Sequence, residues 1–247
     1  MSGKANDALA EALLARGERL TSAVLTQMYR DPFWHARFGA RADEHGRKDG
    51  LFHLQYLVQS LRAEDPEVMN AYARWLRVLL VSRGMCTRHL VENLELLAEA
   101  VRAEALPEGE RAVAVLEGAA RSLRYTEGVP AALLSERDAL VDGTVSRLGS
   151  LVPSEAEGRQ RYVNLAREAV EYLADSLHAV RPDLFAQWAA FAFPFAEANG
   201  LPPMHLHALL EALRRTLGAR QLIEAAAVVE AALSHPAERV PLRSRGR

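Results

Sequence analysis

Three groups of residues combine side-chain types and spacings that can support chemistry. The first is a histidine inside the otherwise core-forming run LFHLQYLVQSL, residues 51–61. Steps of three and four along a helix place His53 in line with Tyr56, Leu57 and Ser60. An imidazole on such a stripe either ligates haem, another tetrapyrrole or a metal against an apolar pocket, or is a buried polar group bonded to a hydroxyl. The second group is Cys86, three residues before His89 in GMCTRHL. The positive end of a helix acidifies a thiol, and a histidine is its usual activating partner. The segment nevertheless lacks a second cysteine two residues away and any protease signature, which favours an inert cysteine at a helix start. The third group is DPFWHARFGARADEH, residues 31–45. Phe33, Trp34 and Phe38 supply aromatic surface there, and His35, Arg37, Arg41 and His45 supply polar groups. The stretch reads as a rim over a pocket between helices, or as a connector whose aromatics seal the end of a bundle.

The elements that must position these residues are helices. Apolar residues recur at three and four, as in Leu51, Leu54, Val58 and Leu61, or Leu90, Leu94, Leu97 and Val101. The pattern predicts helices over 6–30, 48–63, 66–83, 87–104, 109–123, 130–148, 155–179, 182–198, 203–218 and 219–234. Asp65-Pro66-Glu67 combines an N-cap, a first-turn proline and an acid suited to a helix start. Gly84 and Gly200 stand where terminating glycines are expected. Pro194, within an apolar helix, must kink or end it. No segment alternates as a strand does, so the expected fold class is all-α.

Self-comparison adds an internal repeat. YLVQSLRAEDP (56–66) aligns with YLADSLHAVRP (172–182) at an offset of 172 − 56 = 116 residues. The register continues without a gap: Ala73 meets Ala189, Gly84 meets Gly200, His89-Leu90 meet His205-Leu206, and Leu94, Glu95 and Leu97 meet Leu210, Glu211 and Leu213. Tyr72 and Trp75 fall opposite Trp188 and Phe191. The expectation is a tandem duplication of a roughly five-helix unit, forming a pseudo-symmetric helical bundle. The first unit is placed at 1–124, the second at 125–235, and a flexible basic tail at 236–247.

The repeat separates residues the fold needs twice from those it needs once. His89 and His205 are kept in both copies and read as structural, each bonding a neighbouring helix's carbonyl. Trp34, His35, His53 and Cys86 face Ser150, Leu151, Ala169 and Pro202, so a functional surface is expected in the first copy. Trp34, His35, His53, Tyr56, Ser60 and Trp75 are the candidate ligand-binding residues. His53 is the ligand if haem or a metal is bound.

Composition narrows the partners. The 247 residues are 49% hydrophobic, enough for a sizeable core, and a formal charge of −2 gives no global field to recruit nucleic acid or anionic lipid. One cysteine excludes an internal disulfide framework. Asp7 and Glu11 interrupt the apolar stretch a signal peptide needs, and the run LFAQWAAFAFPFA (184–196) is too short to cross a bilayer. These features predict a cytoplasmic protein without membrane insertion, and the alanine- and arginine-rich usage suits a bacterium of high genomic GC content. The chain has no phosphate loop, HExxH, paired ExxH, nucleophile elbow or basic recognition helix. The expected function is therefore a non-enzymatic module that binds a protein partner or an apolar small molecule in a sensory, regulatory or scaffold role. A haem-, tetrapyrrole- or metal-binding protein using His53 is the alternative.

Overall fold

The computed structural model describes residues 2–234, and the expected tail at 236–247 lies outside them. The described residues form thirteen α-helices and no strand. In chain order these are α1 (Ser2–Ala15), α2 (Gly17–Met28), α3 (Phe33–Phe38), α4 (Arg41–Ala63), α5 (Glu67–Ser82), α6 (Thr87–Ala103) and α7 (Gly109–Ser122). They continue as α8 (Gly128–Ser135), α9 (Arg137–Leu148), α10 (Ala156–His178), α11 (Pro182–Ala198), α12 (Pro203–Ala219) and α13 (Ile223–Ser234), with one 3-10 turn at Gly149–Leu151.

Several boundaries differ from the periodicity for local reasons. The expected helix 6–30 is two helices, since the backbone leaves the helical region at Arg16, and a β-carbon at the buried Gly17 would meet Leu51 and Leu54 at 3.4 and 3.5 Å. The expected helix 130–148 breaks at Glu136, whose backbone leaves the helical region between α8 and α9. The stretch before residue 48, left without a helix by the periodicity, holds α3 and the first two turns of α4. Pro194 does not end α11, which runs on to Ala198.

The chain parts into two compact units. Among the described residues, the first comprises 2–80 and 88–124, and its organiser is α4, against which α1, α2, α3 and α7 pack. Leu54, Leu57 and Leu61 are buried on this helix, each burial stabilising by roughly 1.5–3 kcal/mol. Gly46 and Gly50, one turn apart on α4, allow the approach of α2: a β-carbon at Gly46 would sit 2.3 Å from the Tyr29 hydroxyl, and one at Gly50 2.5 Å from Thr21 Cγ2.

The second unit comprises 81–87 and 125–234. Its organiser is α10, in contact with α8, α9, α11, α12 and α13. Residues 169–176 of α10 are buried without interruption, as expected of a helix covered on all sides. Leu173, Phe185, Trp188 and Leu213 form its core, and Cys86, from the turn after α5, belongs to the same cluster.

Candidate functional site

In the first unit, the register of α4 buries His53 and turns Tyr56 outward. His53 is 3% exposed, and its Nδ1 lies 2.8 Å from the Tyr72 hydroxyl on α5. Burial pushes its pKa down to about 4, so the ring is neutral at physiological pH. Burial, with Asp49 and Tyr56 adding to it, pushes the Tyr72 hydroxyl up. The pair is thus a neutral imidazole and a neutral phenol sharing one hydrogen bond. Tyr56 stacks on the Tyr72 ring at a centroid distance of 3.9 Å and an interplanar angle of 12°.

Beyond this stack, exposed apolar side chains lie beside the exposed amides Gln55 and Gln59. The Trp75 ring centroid is 6.2 Å from that of Tyr72, and Trp75 is 59% exposed. Phe52, one turn before Tyr56, is 41% exposed, and Val78, one turn after Trp75, is 64% exposed. Ser60 does not join this face. Its hydroxyl donates to the Asp65 carbonyl at 2.7 Å and so closes the end of α4.

Trp34 and His35 lie in a different aromatic group. Trp34 and Phe33 are buried on α3, with ring centroids 5.0 and 4.7 Å from that of His89. Burial, and then the neighbouring Arg88 cation, pushes the His89 pKa well below its ordinary value. Trp34 stacks on Phe38, while His35 points outward against the Tyr29 ring. His205 meets the Tyr162 hydroxyl at 2.6 Å through Nδ1. Because that hydroxyl spends its one proton on the Leu151 carbonyl, at 3.0 Å, His205 Nδ1–H is the donor. The partner of His205 is therefore a side chain and not the backbone carbonyl expected of it.

The second unit holds a polar cluster that sequence reasoning missed. Asp175 on α10 is 3% exposed. Its Oδ2 accepts the Thr87 backbone N–H at 2.6 Å, and its Oδ1 accepts the Thr87 hydroxyl at 2.6 Å and also the Tyr125 hydroxyl. Burial lifts the carboxyl to about 6 against the opposing pull of these donors, and the charge of Glu171 adds to the rise. Glu171, one turn earlier and also buried, accepts Arg137 Nη1 at 2.9 Å. The positions 116 residues earlier are Gln59 and Gln55, both exposed. The local sequence AVEYLADS carries no signal that separates these two acids from solvated ones.

Among the described residues, no three or more histidine, cysteine, aspartate or glutamate side chains are grouped to hold a metal ion, and no helix is long and apolar enough to cross a membrane. The surface grooves have mixed-charge rims: one of about 370 Å3 lies among Glu95, Glu99, Arg102, Glu117 and Arg121. No protein-family model matches the chain, and the search of curated proteins finds no match.

Proposed function

We propose that this chain is a non-enzymatic, internally duplicated helical binding module, cytoplasmic and serving a regulatory, sensory or scaffold role, which takes a protein partner on the aromatic face of α4 and α5. The observation that carries the reading is the exposure of Trp75 beside the Tyr56–Tyr72 stack, with Phe52 and Val78 extending the face. Clustered exposed aromatics are costly in water, and tryptophan and tyrosine dominate the energetics of protein interfaces. The other two tryptophans, Trp34 and Trp188, are buried.

Support for the duplication comes from helix-ending turns that recur at one spacing. Left-handed residues occur at Glu64 and Val180 (φ 53° and 53°), Gly84 and Gly200 (82° and 80°), and Ala105 and Gln221 (48° and 60°). Each pair has the same separation, 180 − 64 = 200 − 84 = 221 − 105 = 116. The Ser60–Asp65 hydrogen bond recurs as Ser176–Arg181 at 2.8 Å, and the Tyr56–Tyr72 stack recurs as Tyr172–Trp188 at 5.5 Å. His53 gains a reason in the same comparison. It bonds Tyr72 in one copy, while in the other Glu168 bonds Trp188 at 3.1 Å and Ala169 takes the position of His53.

A photo-crosslinking residue at position 75 tests the binding face in living cells, with the exposed Glu110 on α7 as the control position. A protein adduct formed from 75 and not from 110 is the expected result, and equal adducts from both overturn the reading. Haem titration tests the tetrapyrrole alternative, in which His53 would have to give up Tyr72. A Soret band lost in His53→Ala would replace the present proposal.

A further inference from the structure

Positions 116 residues apart carry one face in two states. In the second unit the face comprises Glu171, Tyr172, Asp175, Trp188 and Phe191, all of them buried. The turn after α5 is seated on it. The Tyr172 hydroxyl donates to the Gly84 carbonyl at 3.1 Å, Asp175 holds Thr87 through its N–H and hydroxyl, and Cys86 enters the core cluster. In the first unit the same positions are Gln55, Tyr56, Gln59, Tyr72 and Trp75, and of these only Tyr72 is buried. The Tyr56 hydroxyl makes no hydrogen bond to a described residue.

The segment matching the seated turn is the one after α11, residues 197–203. It has the same left-handed glycine, Gly200, and residues 197–200 are exposed. Its chemistry complements the open face. Pro203 stands where Thr87 stands and has neither the N–H nor the hydroxyl that Asp175 requires. A carboxylate opposite Pro203 would be buried without donors, and the open face has the neutral Gln59 there instead. Gly200 retains the carbonyl that the Tyr56 hydroxyl can meet. Resting on the duplication proposed above, we infer that the aromatic face of α4 and α5 receives the α11–α12 turn of a second copy of this chain. The contact joins two different patches, so two copies exchanging turns reciprocally form a closed dimer, and non-reciprocal docking gives a head-to-tail chain.

Sedimentation velocity over a roughly hundredfold range of protein concentration tests this. The probes are Trp75→Glu, which spoils the face, and Ala198→Arg, which blocks the exposed turn, with Ile223→Glu as a control on an unrelated exposed apolar residue. Wild type and the control should associate as concentration rises, and each variant should associate roughly tenfold or more weakly. An equimolar mixture of the two variants should recover a heterotypic pair, since one supplies an intact turn and the other an intact face. If Ala198→Arg associates like wild type while Trp75→Glu does not, the face pairs with some other surface and the turn is wrong. A wild type that is monomeric throughout overturns the inference; a crosslink from position 75 to a different protein would then leave the binding face itself standing. Circular dichroism monitors folding, and Trp75→Ala takes over the role of Trp75→Glu if the charge impairs cooperative unfolding.

Discussion

On the proposed duplication the α4–α5 face and the α10–α11 face share one register, and they differ in what lies over them. At the second, Phe191 is 3% exposed; at the first, the matching Trp75 is 59% exposed. Polarity follows cover. Where a turn supplies an N–H and a hydroxyl, the helix presents the buried acid Asp175, and where no such turn of the described residues is seated it presents the exposed amide Gln59. A buried carboxylate persists only with such donors, because desolvation otherwise makes the charge too costly. The difference teaches that the polar residue at this position follows the contacts its helix makes rather than the sequence period.

Truncating the matched aromatics should break the comparison most visibly. Phe191→Ala removes a buried ring and should cost about 3–5 kcal/mol, whereas Trp75→Ala should cost under about 1 kcal/mol because its ring is largely solvated already. Urea unfolding of both variants measures the contrast. Comparable losses would mean that Trp75 is covered in solution, and dilution would then separate self-association from intramolecular cover.

The two units should also respond to pH in opposite directions. Burial lifts Asp175 from 3.8 to about 6, so between those values the folded state keeps a proton that the unfolded state releases. Its stabilising contribution is complete below the lower value and is lost as pH rises through the upper one. His53 moves the other way, from 6.5 down to about 4, so its contribution is present above 6.5 and is lost as pH falls through the lower value. Each swing is on the order of 3 kcal/mol. Hydrogen exchange should therefore show α4 amides gaining protection as pH rises from about 4 to about 7 and α10 amides losing it. Asp175→Asn should flatten the α10 response and leave that of α4 intact, and His53→Gln should do the reverse. Parallel slopes in both helices would contradict the assignment.

These predictions use features that were unevenly legible in the amino-acid order. Helical periodicity and terminators are local, and so the ends of α5, α6, α10, α11 and α12 lie within two residues of the expected positions. The break at Arg16 was not legible, and the side chains that the start of α2 lies against, Leu51 and Leu54, are more than thirty positions away. Among the candidate residues, the stripe through His53 and Tyr56 follows from helix geometry, but its hydrogen-bond partner, Tyr72, belongs to the next helix. Ser60 reads as part of the stripe and acts as a cap. Asp175 was hidden for the same reason, since no local pattern tells a carboxylate facing water from one facing the N–H of Thr87, 88 positions away.

Close packing at α4 offers a smaller test of the same contrast. Gly46→Ala must displace both Tyr29 and Leu25 and should cost about 1–3 kcal/mol. Gly218→Ala, on α12, meets nothing within 4 Å and should gain about 0.5–1 kcal/mol from helix propensity alone. Thermal unfolding compares the two, and a stable Gly46→Ala would show that α2 can withdraw from α4.

The smallest expected effect probes what the two units share. Ser60 and Ser176 each donate to the carbonyl five residues on, at 2.7 and 2.8 Å, and each sits beside a backbone bond that closes the same turn: Asp65 N to Ser60 O at 3.1 Å and Arg181 N to Ser176 O at 2.9 Å. The serine hydroxyl shields the turn, while the left-handed Glu64 or Val180 supplies its geometry. Replacing either serine with alanine removes one hydrogen bond and leaves the backbone closure, so each should cost about 1 kcal/mol. If the two turns are equivalents inherited from one ancestor unit, the losses should agree within about 0.5 kcal/mol and the double variant should be additive, because the sites share no partner. A loss confined to one serine would show that register alone, without equivalent packing, relates the two turns, and the docking of one unit's turn on the other's matching face would lose its basis.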